Sequence, residues 1–596
     1  MEPEQLAVDT IRVLAMDAVQ RANSGHPGMP MGMADIATVL WGRYLRVDPD
    51  DPTWPDRDRF VVSNGHGSML LYSLLHLSGF PLSMDDIRAF RQWGSPTPGH
   101  PERDPHVGIE TTTGPLGQGI ATAVGMAIAE AHLRAVVGPE LVDHRTFVFV
   151  GDGDLMEGVS TEAASLAGRL GLGRLVVMYD DNEISIGGDT DVTFTENVAL
   201  RFEAMGWHTL DIDGHDRDAI QAAIDTALAD PRPSLVVCHT RIAYGAPTLE
   251  GTAKSHGSPL GEKEIAGFKE RIGWELPPFT VPEETYAFFR RAMDRGRESH
   301  RAWEQRRAEV DAATAARWTS YFEAAVPQVD AGEHPPGTAV ETRKASGAAI
   351  NRIAAVYPPL IGGSADLEPS TNTLIAGTPD FQDDNTGRNL RFGVREHAMG
   401  AIVNGIGLHG GLRPFGATFL VFSDYMRPAL RLAALMKAPS IFVFTHDSVL
   451  LGEDGPTHQP IEHLASLRAI PGMWVVRPAD AGETDEAWQL ALERSDGPTC
   501  LVLTRQAVPV LDRRGVEGSV RRGGYVLRPG TDAVLVATGS EVAVALAAAD
   551  LAAGSGVSLR VVSLPCWEAF FEQDDDYRAE VLGTGLPLAS LEAAST

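Results

Sequence analysis

The chain has 596 residues, a formal net charge of −30 and three widely spaced cysteines. This length exceeds what one hydrophobic core supports and predicts several domains. The acidic charge disfavours nucleic acid and anionic membranes as partners, and no apolar run approaches the roughly 20 residues of a membrane helix. The cysteines have neither disulfide nor metal-ligand spacing, and no export signal is visible, so we expect a cytoplasmic protein.

The first half alternates strand-like and helical segments. Strand-like runs occur at 146–154, 174–182 and 234–240, whereas 157–171 and Val198–Met205 have helical character. Such alternation is typical of βαβ units on a parallel sheet. We therefore predict an α/β fold with helices flanking a mostly parallel sheet.

The second half repeats this pattern and is followed by a shorter third set. Strand-like runs at 438–447, 472–480 and 498–506 are separated by Ala-rich helical segments. The stretch 523–565 reads as strand, strand, helix, strand, and 588–596 shows no helix that would close this set. We predict a third, smaller α/β domain.

A likely domain break lies between the two halves. Pro282–Pro336 is rich in Glu, Arg and Ala with helical periodicity and ends in GEHPPGT, which indicates a linker. We assign residues 1–315 to a first domain and 316–338 to the linker. Residues 339–512 form a second domain, and 513–596 form the C-terminal domain.

The sharpest local signal is a GDG turn after a strand, with Asn182 after the next strand. Parallel strands end at one edge of a sheet, where Asp152, the Asn182 amide and a carbonyl near Ile184 supply oxygen ligands that suit Mg²⁺. Gly151 and Gly153 allow close backbone approach to a diphosphate. A tight turn is the alternative reading of GDG alone. With 28 residues between Gly153 and Asn182, this stretch resembles the thiamine-diphosphate motif, and the resemblance favours a metal-diphosphate site.

A glycine-punctuated loop at Gly114–Gly119 enters an Ala-rich helix. Backbone N–H groups at such a helix start favour negative charge. Helix packing through small residues is the alternative. In this setting the loop is expected to lie under a cofactor.

Six histidines occupy loops bounded by glycine or proline, where binding groups gather. Each alone could be a turn or capping residue, and no zinc-ligand spacing joins them. Imidazole can donate, accept and exchange protons near neutral pH, so polyol recognition or proton transfer is the better interpretation. The six are His26, His66, His100, His256, His446 and His458.

These loops, in this order and with these neighbours, resemble the transketolase family over nearly the whole chain. Further matching motifs are TRKASG, IGGSADLEPSTN, FGVREHAMGAI, FGATFLVFSDYMRPALR, the segment from THDSVLLGEDGPTHQP to RAIPG, and LTRQAVPVL. The GDG-to-Asn stretch likewise resembles the family's thiamine-diphosphate motif.

The resemblance implies a cofactor site for thiamine diphosphate and Mg²⁺, with Ca²⁺ or Mn²⁺ as substitutes. Glu396 corresponds to the carboxyl that hydrogen-bonds the aminopyrimidine ring and that an apolar site would keep protonated. Its alternative reading is an acid at a helix start. The implied cofactor-binding residues are His66, Gly114, Leu116, Gly153, Asn182, His256, Asp366, Glu396 and Phe422, and the metal ligands are Asp152, Asn182 and Ile184.

Three aromatic residues have the spacing i, i+3 and i+6, namely Phe419, Phe422 and Tyr425. This spacing is typical of a buried helix face. In the family, the matching positions surround the aminopyrimidine. Glu157 corresponds to a residue that crosses to the partner subunit, and its alternative is an exposed acid in a first helical turn.

The resemblance also implies the substrate residues. His26 and His458 would face the reacting carbons, His100 and His256 would complete the catalytic set, and Asp454 would read the hydroxyl stereochemistry of the donor. Arg343, Ser370, His446 and Arg505 match a phosphate site, where the planar fork of arginine suits phosphate oxygens.

The implied activity is reversible transfer of a two-carbon ketol unit between sugar phosphates, in the non-oxidative pentose phosphate pathway or the Calvin cycle. A homodimer with interfacial active sites is implied as well. The alternatives are an enzyme like dihydroxyacetone synthase and a catalytically inactive homologue; a Mg²⁺-dependent phosphohydrolase fits less well.

Two departures from the family pattern stand out. Ala253 and Lys254 replace polar or His-containing variants, which predicts altered handling of the donor. Relatives continue past the segment that resembles 591–595, so we expect the C-terminal domain to be incomplete.

Overall fold

The computed structural model describes residues 2–595 and divides into two compact units, the first ending at Ala316 and the second beginning at Arg317. Both units are α/β, as predicted. No helix among the described residues combines the length and apolar character needed to cross a membrane.

The first unit contains a five-stranded parallel sheet in the order β1-β2-β3-β7-β6 and a two-stranded ribbon of β4 and β5. Its strands are β1 Arg59–Val62, β2 Thr146–Gly151, β3 Leu175–Asp181, β4 Ile184–Ser185, β5 Gly188–Asp189, β6 His208–Asp213 and β7 Ser234–His239. Its helices are α1 Pro3–Ala22, α2 Gly28–Gly32, α3 Ala34–Arg43, α4 Ser68–Ser78, α5 Met84–Arg88, α6 Gln118–Val136, α7 Asp152–Met156, α8 Gly158–Leu170, α9 Val198–Ala204, α10 Arg217–Ala229, α11 Glu262–Ile272 and α12 Glu283–Glu309, and α13 Ala312–Trp318 follows at the boundary.

The predicted strands and helices of the first half are confirmed, but the segment Pro282–Pro336 is only partly a linker. Helix α12 packs against α1 and α4. Its apolar residues Phe289 and Met293 are fully buried in the core of the first unit. Charged residues occupy the solvent face of this helix and dominate its composition, so composition alone does not reveal the apolar stripe.

The second unit contains two larger sheets and a small ribbon of β8 and β15. One sheet is parallel throughout, in the order β10-β9-β11-β12-β14-β13; the other has the order β16-β18-β17-β19, with β16 antiparallel. Its strands are β8 Ala339–Glu341, β9 Leu360–Ser364, β10 Asn389–Arg391, β11 Arg413–Phe419, β12 Ile441–Thr445, β13 Trp474–Val476, β14 Thr499–Leu503, β15 Ala507–Pro509, β16 Tyr525–Arg528, β17 Ala533–Ala537, β18 Leu559–Ser563 and β19 Leu588–Leu591. Its helices are α14 Thr342–Val356, α15 Glu368–Thr371, α16 Glu396–His409, α17 Ser423–Leu435, α18 His463–Arg468, α19 Ala481–Glu493, α20 Glu541–Gly554, α21 Trp567–Phe571 and α22 Asp575–Leu582.

The predicted order of strand, strand, helix, strand at 523–565 is confirmed by β16, β17, α20 and β18. The small-residue segment at 588–591 forms strand β19, which pairs in parallel with β17. Four residues without a clear period gave no sequence signal for this strand.

A buried ion pair connects the two larger sheets of the second unit. Arg477, which follows β13, is fully buried and donates two hydrogen bonds to Asp447 at 2.7 and 2.9 Å. It also contacts Glu541 at the start of α20 and donates to the Thr538 carbonyl at 3.2 Å. Asp447 is 1% exposed. Losing the guanidinium would therefore leave a buried carboxyl without its cation.

We predict that Arg477→Met destabilises the second unit by about 3–5 kcal/mol, because one partner of a buried pair is lost. Urea denaturation followed by tryptophan fluorescence measures the effect. Arg521→Met is the control, since Arg521 pairs with Glu493 at the surface; its cost should stay below about 1 kcal/mol. Equal stability of the two variants would contradict the prediction.

Candidate active site

The ends of β2 and β3 bring the predicted metal ligands to one edge of the first sheet. Gly151 is in register with Asp180, so Asp152 and Asn182 directly follow two neighbouring strand ends. Both line one cavity of about 940 Å³ together with Ile184. The structure thus places these three residues together, while their role as metal ligands stays a prediction.

Several carboxyl groups line the cavity, and Asp152 among them is buried. Burial raises the pKa of Asp152 to about 7; a hydrogen bond from Tyr179 opposes the rise, and the charges of Asp180 and Asp181 add to it. Burial also raises the pKa of Asp180 to about 7. A divalent cation would offset this concentrated negative charge. Carboxylate, amide and carbonyl oxygens form the donor set that suits Mg²⁺, so the residues fit this metal.

Asn182 is held in place by a network that the sequence did not reveal. Its amide nitrogen donates to Asp180 at 2.9 Å, and its oxygen accepts the Ile184 N–H at 3.0 Å. The hydroxyl of Thr240 also donates to Asp180. Asp180 and Thr240 carry no motif of their own, and only the pairing of β3 with β7 brings them together.

Asp154, the fourth residue of GDGD, joins three loops and was not singled out in the sequence. Its carboxylate accepts hydrogen bonds from the Ser63 hydroxyl at 2.6 Å, the Gly117 N–H at 2.8 Å and the Gly151 N–H at 3.1 Å. Burial raises its pKa to about 6, although these donors stabilise the charged form. One carboxylate therefore fixes the GDG turn relative to the Gly114–Gly119 loop.

The space beside the GDG turn has the features of a diphosphate cradle. Within residues 2–595, neither polar atom of the buried Asn64 amide has a hydrogen-bond partner. A Cβ on Gly151 would lie 3.5 Å from that amide, and a Cβ on Gly153 would lie 2.8 Å from Leu116. An unpartnered buried amide costs about 1–3 kcal/mol. A ligand with acceptor oxygens would satisfy the NH2 group of this amide, so the cradle fits a diphosphate.

Four of the six loop histidines form one cluster in the first unit. The ring of His26 lies 5.3 Å from His66, 5.8 Å from His100 and 5.6 Å from His256, measured between centroids. His66 and His256 stack at 4.8 Å. Gly114 has φ +129°, and a Cβ there would lie 3.0 Å from the ring of His100, so the loop passes directly against this cluster.

These four imidazoles are neutral at pH 7. Burial lowers the pKa of His26 to about 4, with further lowering by His256, Arg91 and His100. Burial likewise lowers the pKa values of His66, His100 and His256. Each neutral ring offers one N–H donor and one acceptor nitrogen, the combination that hydroxyl groups of a sugar require.

The second unit gathers the predicted phosphate residues. Arg343 donates to the Ser370 carbonyl at 2.7 Å, and its buried Nε has no partner among the described residues. Arg505 pairs with the exposed Glu453 at 3.0 Å. Burial lowers the pKa of His446 to about 3, and the charges of both arginines lower it further. This cationic cluster provides donors for an anion.

Aromatic rings lie beside the two loop histidines of the second unit, His446 and His458. Phe419 lies 3.8 Å from His446, and Phe422 lies 5.3 Å from His458 and 5.8 Å from Phe419, between ring centroids. Phe422 and Tyr425 are 6.0 Å apart. The spacing i, i+3, i+6 does not mark one helix face here, because Phe419 ends β11 and Tyr425 lies in α17. Tyr425 is 65% exposed.

The remaining predicted residues are placed as follows. Glu396 is the first residue of α16 and is buried. Asp366 and Asp454 lie in exposed loops, and Glu157 is an exposed residue before α8. Within residues 2–595, no side-chain hydrogen bond or ion pair joins Asp366, Asp454 or Glu157 to the clusters above. Their roles stay predictions.

Three family models match consecutive parts of the chain. They describe a transketolase thiamine diphosphate binding domain at 3–328, a transketolase pyrimidine binding domain at 338–510, and a transketolase-like C-terminal domain at 523–596. The chain belongs to the transketolase family. The thiamine-diphosphate-binding domains identify the cofactor class, and the predicted fold and enzyme class are confirmed.

Relatives from several organisms support this assignment. Transketolases of Halalkalibacterium halodurans and Cereibacter sphaeroides are each 52% identical, over 97% and 99% of this chain and 90% and 91% of their own length. The solved transketolase of Leishmania mexicana has a TM-score of 0.94 and 45% identity, covering 100% of this chain and 90% of its own. A Pichia stipitis transketolase complex with sedoheptulose 7-phosphate has a TM-score of 0.93 and 43% identity, covering 99% of this chain and 90% of its own.

We predict that the histidine cluster makes the free energy of unfolding fall as the pH decreases from about 6.5 to about 4. In this range the unfolded imidazoles bind protons that the buried rings exclude, so the unfolded state is favoured. His66→Asn should reduce this slope, as measured by urea midpoints across the pH range. The control His106→Asn replaces an exposed histidine and should keep the slope of the unmodified protein. An unchanged slope in His66→Asn would refute the prediction.

Proposed function

We propose that this enzyme transfers a two-carbon ketol unit from a ketose phosphate, such as xylulose 5-phosphate, to an aldose phosphate, such as ribose 5-phosphate or erythrose 4-phosphate. The observation that carries this proposal is the cluster of four neutral imidazoles beside the Gly114 loop, in a domain of the thiamine-diphosphate-binding type. Neutral rings can bind several hydroxyls of a sugar at once. Such a reaction belongs to the non-oxidative pentose phosphate pathway or the Calvin cycle.

We infer that the first unit holds the diphosphate end of thiamine diphosphate and a divalent cation. Asp152, Asn182 and the Ile184 carbonyl would bind Mg²⁺, and the same oxygen ligands would accept Ca²⁺ or Mn²⁺. The diphosphate would contact the backbone at Gly114 and Gly153 and the rings of His66 and His256. The buried amide of Asn64 supports this placement. When bound, thiamine diphosphate supplies a nucleophilic carbon and an electron sink for cleaving the donor's carbon–carbon bond.

Glu396 would present its carboxyl to the aminopyrimidine nitrogen of the cofactor. Its burial at the start of α16 supports a protonated carboxyl that donates a hydrogen bond. Leu116, Phe422 and Asp366 would complete the pocket for the ring.

The histidines would bind and move protons on substrate oxygens. His26 and His458 would serve the hydroxyls at the reacting carbons, while His100 and His256 orient the sugar. Asp454 would accept a hydrogen bond from a donor hydroxyl. The phosphate would be held by Arg343, Arg505, His446 and Ser370. The unpartnered Nε of Arg343 supports this placement. These contacts would fix the distance between phosphate and reacting carbon.

We also propose a cytoplasmic homodimer with active sites at the subunit interface and no nucleic acid or membrane partner. Large apolar side chains are solvent-exposed in the single chain, as interface residues are before assembly. The most exposed are Trp93 at 104%, Val192 at 81%, Leu551 at 79%, Ile186 at 76% and Val394 at 74%.

Purified protein with thiamine diphosphate and Mg²⁺ is expected to convert xylulose 5-phosphate and ribose 5-phosphate into sedoheptulose 7-phosphate. Glu396→Ala should lower kcat by roughly 100-fold or more, because proton transfer within the cofactor loses its partner. Glu333→Ala, at an exposed position, is the control. Turnover only with formaldehyde as acceptor would indicate a dihydroxyacetone synthase instead. No turnover with any acceptor would indicate an inactive homologue.

Arg343→Met is expected to raise KM for ribose 5-phosphate by about 10- to 100-fold, since one charged hydrogen bond to phosphate is lost. Steady-state kinetics with hydroxypyruvate and glycolaldehyde, which carry no phosphate, should change little. Arg514→Met is the matched control, because Arg514 pairs only with Asp512 at the surface. An equal loss with phosphorylated and unphosphorylated substrates would exclude a phosphate-specific role for Arg343.

A further inference from the structure

Arg91 lies against the central histidine of the first-unit cluster. Its Nη2 is 3.2 Å from Nδ1 of His26, and its Nη1 donates to the Ser24 hydroxyl at 3.1 Å. Its guanidinium also packs on the next loop, because a Cβ on Gly99 would lie 2.7 Å from its central carbon. The loop at Ser24–His26 and the loop at Gly99 thus hold this guanidinium beside His26.

The chemistry of this contact fixes the hydrogen on the imidazole. Arginine has five N–H donors, no acceptor, and stays charged in proteins. Nδ1 of His26 must therefore present its lone pair to Arg91. The ring is neutral at pH 7, since burial and its cationic neighbour lower its pKa to about 4. A neutral ring whose Nδ1 accepts carries its proton on Nε2.

We propose that Arg91 is a positioning residue that holds His26 in the Nε2–H tautomer, so that this ring acts as a hydrogen-bond donor toward a sugar oxygen. The tautomer follows from the contact itself. The sugar oxygen as acceptor rests on the proposed function.

The surroundings of the ring leave its Nε2 side open for a ligand. A Cβ placed on Gly257 would lie 3.4 Å from Nε2, so glycine leaves room at that edge. Among the described residues, no protein group hydrogen-bonds this nitrogen. The titratable and charged groups that face the ring are His66, His100, His256 and Arg91.

The backbone of Arg91 supports a positioning role. Its φ of +61° lies in the left-handed region, which costs a residue with a Cβ roughly 1–2 kcal/mol. The turn is closed by the Arg91 N–H, which donates to the Thr97 carbonyl at 3.0 Å. Such conformations persist where the surrounding structure fixes them, and they concentrate at functional sites.

Chemical labelling tests the tautomer directly. Diethyl pyrocarbonate reacts with an unprotonated imidazole nitrogen, and in His26 the only such nitrogen is covered by Arg91. At pH 7.5 the holoenzyme should label slowly at His26, as followed by peptide mass spectrometry. In Arg91→Met the Nδ1–H tautomer becomes accessible and frees Nε2, so labelling should accelerate roughly fivefold or more. Arg91→Lys, which keeps a donor, should stay close to the unmodified enzyme.

Kinetics in the same variants separates positioning from general damage. Arg91→Met should lower kcat/KM for ketol transfer by roughly tenfold or more, with partial rescue in Arg91→Lys. Arg88→Met, on the same segment but exposed and paired with Asp85, should match the unmodified enzyme in both assays. Arg91→Leu provides the same comparison if Arg91→Met does not fold.

Unchanged labelling of His26 in Arg91→Met would overturn the proposal, whatever the kinetics show. Accelerated labelling without any loss of kcat/KM would also overturn it, because the tautomer would then not matter to catalysis. If the unmodified enzyme transfers no ketol unit, the proposed function fails, while the labelling comparison still decides whether Arg91 sets the tautomer.

Discussion

The pairing of β2 with β3, together with the hydrogen bonds of the Asp154 carboxylate, is the constraint on which the first-unit site depends. Register between the strands places Asp152 and Asn182 at neighbouring ends. Asp154 then binds the loops that contain Ser63 and Gly117, so the GDG turn and the Gly114 loop keep a fixed spacing. Because Gly114 touches His100, the same carboxylate also positions one side of the histidine cluster. The proposed metal ligands, the proposed diphosphate cradle and the histidine rings are therefore all positioned by these contacts.

The two units differ in the charge of their clusters. In the first unit, buried carboxyls around Asp152 have raised pKa values, and a cation would offset their negative charge. Burial keeps the four imidazoles of that unit uncharged. In the second, Arg343 and Arg505 form a local positive site within a chain of net charge −30. Attraction of an anionic substrate thus depends on local groups, since the overall field is repulsive. Burial determines the charge state in both units.

Much of the fold and of the site could be predicted from the sequence. Strand and helix periods predict the α/β architecture, and the GDG turn and Asn182 mark the residues that follow two neighbouring strands. What the sequence could not provide were contacts set by long-range pairing. Thr240 reaches Asp180 only because β7 lies beside β3, and Arg91 meets His26 only because two loops pack together. The linker predicted over Pro282–Pro336 is in part helix α12 of the first unit, whose composition is dominated by its charged solvent face.

The most direct test of this account is the affinity for thiamine diphosphate, measured by isothermal titration calorimetry with and without Mg²⁺ in the unmodified protein and in Asp152→Asn. We predict tight binding only when Mg²⁺ is present, and a loss of roughly 10- to 100-fold in Asp152→Asn, because a carboxylate that would bind the cation is removed. Equal affinity in the presence and absence of Mg²⁺, or an unchanged affinity in Asp152→Asn, would contradict the assignment of the strand-end cluster as the metal-diphosphate site.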